Sequence, residues 1–162
     1  MLKVLRLIDK LNHYLKILVG ILLAIMSVIV IIQVFSRFML SLPLSWSEEL
    51  ARYLMVYTVF LGVALALREQ KLIGVEAVAE RLSKRQRRRL KTTVNLVSIA
   101  FFLLLFIQGI KMLLKVHVQI SASLGIPMSI PYAAIPIGSC LLIMNSIAVI
   151  IELFVGAGEG EA

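Results

Sequence analysis

The sequence predicts an all-α membrane protein: four transmembrane helices, plus an amphipathic interfacial helix in the loop between the second and third. Composition is the first observation behind this reading. Of 162 residues, 60% are hydrophobic and only 16% charged, against about 45–50% and about 25% in soluble domains. Charge placement is the second. Nine of the 17 Lys+Arg lie between Arg68 and Lys91 and four within the first 16 residues, flanking long uncharged runs. A net charge of +8 arranged in that way marks membrane topology rather than nucleic-acid binding.

The spans follow in order. A hydrocarbon core of about 30 Å needs about 20 helical residues. Residues 17–36 are charge-free between Lys16 and Arg37. This run is longer than the ~7–15 residues of a cleavable signal core and no small-x-small site follows, so it reads as a retained anchor. The second span is placed at 50–68, where 53–67 is charge-free and Arg52 snorkels to lengthen it. The third is placed at 92–110, up to Lys111, and the fourth at 132–151, up to Glu152. Lipid offers the backbone no hydrogen bonds, and unbroken apolar runs without alternation select helix over barrel. The whole chain, 1–162, reads as one four-helix domain.

Loops set the orientation. With four spans, one side holds 13 Lys/Arg and the other only Arg37, Arg52, Lys111 and Lys115, which predicts both termini in the cytoplasm. The basic loop 69–91 has its own pattern. Val75, Val78, Ala79 and Leu82 recur at helical spacing opposite Glu76, Glu80 and Arg81, as in a helix lying in the interfacial plane. Lys84, Arg85, Arg87, Arg88, Arg89 and Lys91 then face anionic lipid head groups. Between the first two spans, Ser45 followed by Glu48 fits a capping box with the helix beginning at Trp46. Glu48 and Glu49 would favour the positive helix end, and Arg52 is one turn from both, so an ion pair is open to them. That cluster reads equally as a capped helix start and as a partner-docking surface. The 111–131 segment, outside by topology, carries two Ile-Pro steps that force a bent, extended approach to the last helix.

The chemistry of catalysis is hard to assemble from this chain. One cysteine, Cys140, rules out an intrachain disulfide or a multi-Cys metal site. His13 and His117 fall on opposite sides, so they cannot share a haem iron. No span holds His, Asp or Glu in its interior, where ion or proton coupling would need a carboxylate. The polar residues of the spans, Gln33, Asn95, Ser98, Gln108, Ser139, Asn145 and Ser146, mark helix–helix contacts within the chain or with another subunit. No cofactor is expected, and the chain reads as a partner rather than an enzyme.

Two stretches carry a family resemblance: WSEELARYLMVYTVFLGVALALR at 46–68, running on to IGVE at 73–76, and LGIPMSIPYAAIPIG at 124–138. With four spans and a basic middle loop, they resemble the small membrane subunit, DctQ-type, of TRAP (tripartite ATP-independent periplasmic) transporters, over nearly the whole chain. Tyr57 stands where the family often has tryptophan, and Lys71 near a frequent histidine. The resemblance implies a scaffold in the bacterial inner membrane, supporting a large elevator-type, sodium-coupled subunit that a periplasmic solute-binding protein supplies with an organic acid (a dicarboxylate, keto acid or sialic acid). It puts Arg37, Trp46, Glu48, Glu49, Arg52 and Arg68 at the subunit contact. Lys111, Lys115 and Gln119 are weaker candidates for contact with the binding protein. A stand-alone oligomeric four-helix exporter or channel is the alternative.

Overall fold

The computed structural model describes residues 2–39, 41, 44–69 and 82–155. Among these, α1 (Leu2–Met39), α2 (Ser45–Arg68), α3 (Lys84–Val116), the short α4 (Ser129–Tyr132) and α5 (Ala134–Val155) follow one another, and no strand is present. Four helical stretches are long and apolar enough to cross a membrane: Leu5–Met39, Ser45–Arg68, Gln86–Val116 and Ser129–Phe154.

The helices outrun the spans expected from hydropathy because continuing a helix into water does not require apolar residues. α1 takes in the basic segment before residue 17, and its 38 residues extend for about 57 Å at ~1.5 Å per residue. α3 absorbs 84–91, so the basic run forms its first two turns. The amphipathic pattern at Val75, Val78 and Ala79 lies outside the described residues. Ser83 and Gln86 form a capping box that starts α3, the Ser83 N–H donating to Gln86 Oε1 at 3.2 Å.

The capping box expected at Ser45 and Glu48 is not formed. α2 begins at Ser45, its N-cap is Leu44, and no side chain caps it. The Ser47 hydroxyl turns back and donates to the Leu44 carbonyl at 2.7 Å. At the other end of the chain, Pro136 accounts for the break between α4 and α5. Its ring has no N–H to give the Tyr132 carbonyl and crowds that carbonyl, which interrupts the ladder near Ala133.

The helices pack in the order α1–α2–α5–α3. α5 is the core helix: Ala134, Ser139, Leu142, Asn145, Ser146, Ala148 and Val149 are buried, and only Ile137, Cys140 and Ile147 along 134–150 are exposed. Gly138 allows α2 to lie against it, with Phe60 occupying the space a side chain would need. Gly109 does the same for α3 against Ile135 and Pro136. Ala64 and Leu67 of α2 join Leu142 and Val149 in one buried cluster.

α1 is attached differently. From residue 5 to residue 36 its covered positions are 5, 8, 12, 15, 19, 22, 26, 29, 33 and 36, and every position between them is exposed. The alternation of three and four is a 3.5-residue repeat, the mark of a left-handed coiled-coil seam. α1 lies along α2 by this seam and meets α5 through its first turns, at Leu5, Ile8 and Asn12. Gln33 sits on the seam. Of the other span polar residues, Gln108 is exposed, while Asn95 donates to its own helix at the Lys91 carbonyl, 2.8 Å away.

Deeper in, one amide network joins three helices. Asn145 Nδ2 donates to Asn12 Oδ1 at 2.9 Å and to the Ala64 carbonyl at 2.8 Å. Asn12 Nδ2 donates back to Asn145 Oδ1 at 2.8 Å and to the Ile8 carbonyl at 2.9 Å.

A methyl at residue 138 would lie 2.6 Å from Phe60 Cβ. Gly138→Ala is therefore expected to destabilise the bundle by about 1–3 kcal/mol, the usual cost of overpacking. Phe60→Ala in the same chain should recover part of that loss in SDS-titration unfolding from mixed micelles.

Candidate functional site

Two polar clusters sit at opposite ends of α2. At its start, Glu49, Tyr53 and Tyr57 fall at i, i+4 and i+8, a single stripe of the helix. All three reach the segment after α3. Glu49 Oε2 accepts the backbone N–H groups of Ser123 (2.9 Å) and Leu124 (3.1 Å). Its other oxygen accepts the Tyr53 hydroxyl, which also lies 3.2 Å from Met128 Sδ. Tyr57 donates to the Ile130 carbonyl at 2.6 Å.

The segment they hold is a small hairpin. Ile120 and Pro127 form an antiparallel bridge. The Met128 N–H donates to the Gln119 carbonyl at 2.8 Å and the Ser121 N–H to the Ile126 carbonyl at 2.9 Å. Gly125, at φ +65°, supplies the left-handed turn that a side chain would strain. Glu49 thus replaces water for the two N–H groups at the hairpin tip.

The ion pair open to Glu48 or Glu49 with Arg52 is not formed, and the reason is energetic. A helical i,i+4 pair is worth about 0.3–0.5 kcal/mol on a surface, while hydrogen bonds to a charged group contribute about 1.5–3 kcal/mol. The carboxylate of Glu49 turns to the three donors. Glu48 and Arg52 are left exposed, with no ion-pair partner among the described residues. Both line a cleft of about 530 Å³ between α2, the hairpin and the start of α5, with Val56, Met128, Tyr132 and Ile135 deeper in.

At the other end, the Arg68 guanidinium forks between two helices. Nη2 lies 2.7 Å from Asp9 Oδ1 of α1, and Nη1 donates to Glu152 Oε2 of α5 at 2.8 Å. The Arg68 side chain is only 10% exposed. Lys16 pairs with Glu69 at 3.2 Å on the surface nearby.

The remaining expected site residues are scattered. Arg37 and Trp46 are exposed near the hairpin end, and Lys111, Lys115 and Gln119 are exposed around the end of α3. In the basic run Arg89 is exposed, Arg87 and Arg88 are half-buried and Lys91 is buried. Arg88 sits 4.8 Å over the Phe154 ring. The side chains of Lys84 and Arg85 lie outside the described residues. Cys140 opens onto an apolar groove between α3 and α5.

Composition and motif reasoning did not find Asp9, Asn12, Tyr53 or Tyr57. A signal existed for the tyrosines, which continue the Glu49 stripe at helical spacing. None existed for Asn12, whose partner is 133 residues away.

Polar side chains tie the helices to one another at both ends, and among the described residues no group of three or more His, Cys, Asp or Glu is placed to hold a metal. A wide apolar surface is left over. These features describe an all-helical membrane protein with four helices long and apolar enough to cross a bilayer. The chain belongs to the DctQ component family of tripartite ATP-independent periplasmic transporters, whose profile matches residues 26–156. Such subunits are transporter components, not enzymes.

Three relatives give the family context. The chain is 29% identical over 150 residues to a Haemophilus influenzae (strain KW20 / Rd) protein named as a TRAP transporter small permease, covering 90% of this chain and 92% of that one. It is 28% identical over 126 residues to the sialic acid TRAP transporter small permease protein SiaQ of Vibrio cholerae (75% and 70%). It is 31% identical over 119 residues to the sialic acid TRAP transporter permease protein SiaT of Haemophilus influenzae (strain 86-028NP). That match takes in 74% of this chain but only 19% of SiaT.

Glu49→Gln is expected to remove the charge and leave one acceptor oxygen where the carboxylate offers two to the hairpin N–H groups and the Tyr53 hydroxyl. The local loss of about 1–3 kcal/mol should speed amide exchange at Ser123 and Leu124 roughly ten- to a hundredfold. Hydrogen–deuterium exchange of the 119–128 peptide measures it, and Tyr57→Phe should have a smaller effect.

Proposed function

We propose that this chain is the scaffold subunit of a sodium-coupled, binding-protein-dependent importer of an organic acid, with sialic acid, dicarboxylates and keto acids as the substrate classes. The observation that carries this reading is the single seam of α1. A helix covered on one narrow line, with Ile21, Ile25, Val28, Ile32 and Phe35 among its many exposed apolar residues, has surface to give to lipid and to a larger membrane subunit. SiaT supports the pairing, because there the matched stretch is a fifth of a much longer permease. The names of SiaT and SiaQ favour a sialic-acid-like substrate.

In this reading, Arg37, Trp46 and the exposed face of α1 dock the large subunit. Glu49 and Arg68 shape the contact from within, and Glu48 and Arg52 border it. Lys111, Lys115 and Gln119, beside the hairpin, meet the solute-binding protein, and the basic start of α3 meets anionic lipid. The excess of 13 Lys/Arg over 4 supports a reading with both termini in the cytoplasm of a bacterial inner-membrane protein and the hairpin outside.

Orientation is tested with an impermeant maleimide on intact cells. In a Cys140→Ser background, Ser123→Cys should label and Arg89→Cys should not. The assembly is tested by purifying the tagged chain in mild detergent. A large polytopic partner at fixed ratio is expected, whereas a lone homo-oligomer that conducts in liposomes would make the chain an exporter or channel. Glu49→Lys should abolish uptake while the chain still inserts.

A further inference from the structure

Glu48 and Arg52 are one helical turn apart, opposite in charge and both exposed, yet neither has an ion-pair partner among the described residues. Both border the cleft between α2, the hairpin and the start of α5. Below them the wall is hydrocarbon: Val56, Pro131 and Ile135. Trp46, 42% exposed, precedes Glu48 by two residues and Arg52 by nearly two turns, and tryptophan concentrates where hydrocarbon gives way to water. Glu49 lines the cleft as well, but its carboxylate is taken up by Tyr53, Ser123 and Leu124, which leaves one cation and one anion to present, about 5–6 Å apart at the Cβ atoms, above a mainly apolar slot.

We infer that this cleft seats a phospholipid whose head group carries a phosphodiester beside a primary ammonium, an ethanolamine-type lipid. The planar guanidinium of Arg52 matches two phosphate oxygens. The Glu48 carboxylate accepts from the ammonium, two carbons further on. An acyl chain follows Val56 and Ile135 inward. A choline head group has no N–H to donate to Glu48, and a glycerol head group brings no cation to it. The charge pair thus selects as well as holds. The inference rests on the chain lying in a membrane and not on the transport reading, so either stands if the other fails.

The test uses the full chain, purified in mild detergent and offered equal amounts of dioleoyl phosphatidylethanolamine, phosphatidylglycerol and phosphatidylcholine, with bound lipid read by native mass spectrometry. One ethanolamine lipid should be retained about tenfold over the other two, the effect of roughly one well-made charged contact. Arg52→Ala should lose it. Glu48→Gln should lose the preference over choline, and Glu48→Lys should turn the preference to phosphatidylglycerol. Val118→Ala, exposed just beyond the end of α3, should leave lipid retention unchanged. Glu48 and Arg52 are exposed and have no ion-pair partner among the described residues, so these variants are expected to keep the fold, and circular dichroism checks that they do. Equal retention of the three head groups overturns the inference, as does unchanged retention in Arg52→Ala. So does an Arg52→Ala chain that keeps its lipid but loses the large subunit on co-purification, which would make the cleft a protein contact.

Discussion

A polar side chain inside a bilayer has no water to fall back on, and the amide of Asn145 is where this fold meets that constraint. It is 0% exposed and touches α1 through Asn12 and α2 through the Ala64 carbonyl. Apolar side chains between helices in lipid do little to choose a partner, because the alternative, a lipid tail, is as apolar as they are. The amide network does choose, since each member is satisfied only when α1, α2 and α5 stand in one register. Gly138 and Gly109 then bring the neighbours of α5 close enough for dispersion to act over the whole contact.

The two ends of α2 finish what the amides begin, by different means. Arg68 gathers two carboxylates from helices otherwise joined along a narrow line, a fork that lysine could not reproduce. Glu49 closes the opposite end by holding backbone rather than charge. Its partners belong to a hairpin that gives α5 its starting position, so the geometry of the core helix is fixed in part by a residue on another helix. The Tyr57 hydroxyl adds a bond to the Ile130 carbonyl just before Pro131. Tryptophan there would also present a donor, from a different position.

How much of this was legible in the sequence depends on the range of the interaction. The four spans were, because bilayer thickness alone dictates the length of an uncharged run, and the 46–76 and 124–138 stretches carried the family. Helix ends were less so, as the charged flanks at 2–16 and 84–91 continue as helix without any hydropathic signature. The capping motif at Ser45 and Glu48 had the right spacing but lost to the Ser47 hydroxyl, while the one that forms, Ser83 with Gln86, lies in a basic stretch read for its charge. Least legible was the choice Glu49 makes. Spacing offers it Arg52, and only the folded chain reveals three donors from 74 or more residues away and from its own helix turn.

The order α1–α2–α5–α3 has a mechanical consequence. Helices set side by side in a row, instead of closed into a ring, make a plank with a long lipid-facing perimeter. Viscous drag on such an object in the plane of the membrane rises with its width, so a plank resists being turned more than a round bundle of equal mass. Anything fastened to it in the membrane would share that drag, and so would turn in the bilayer plane more slowly than it would alone.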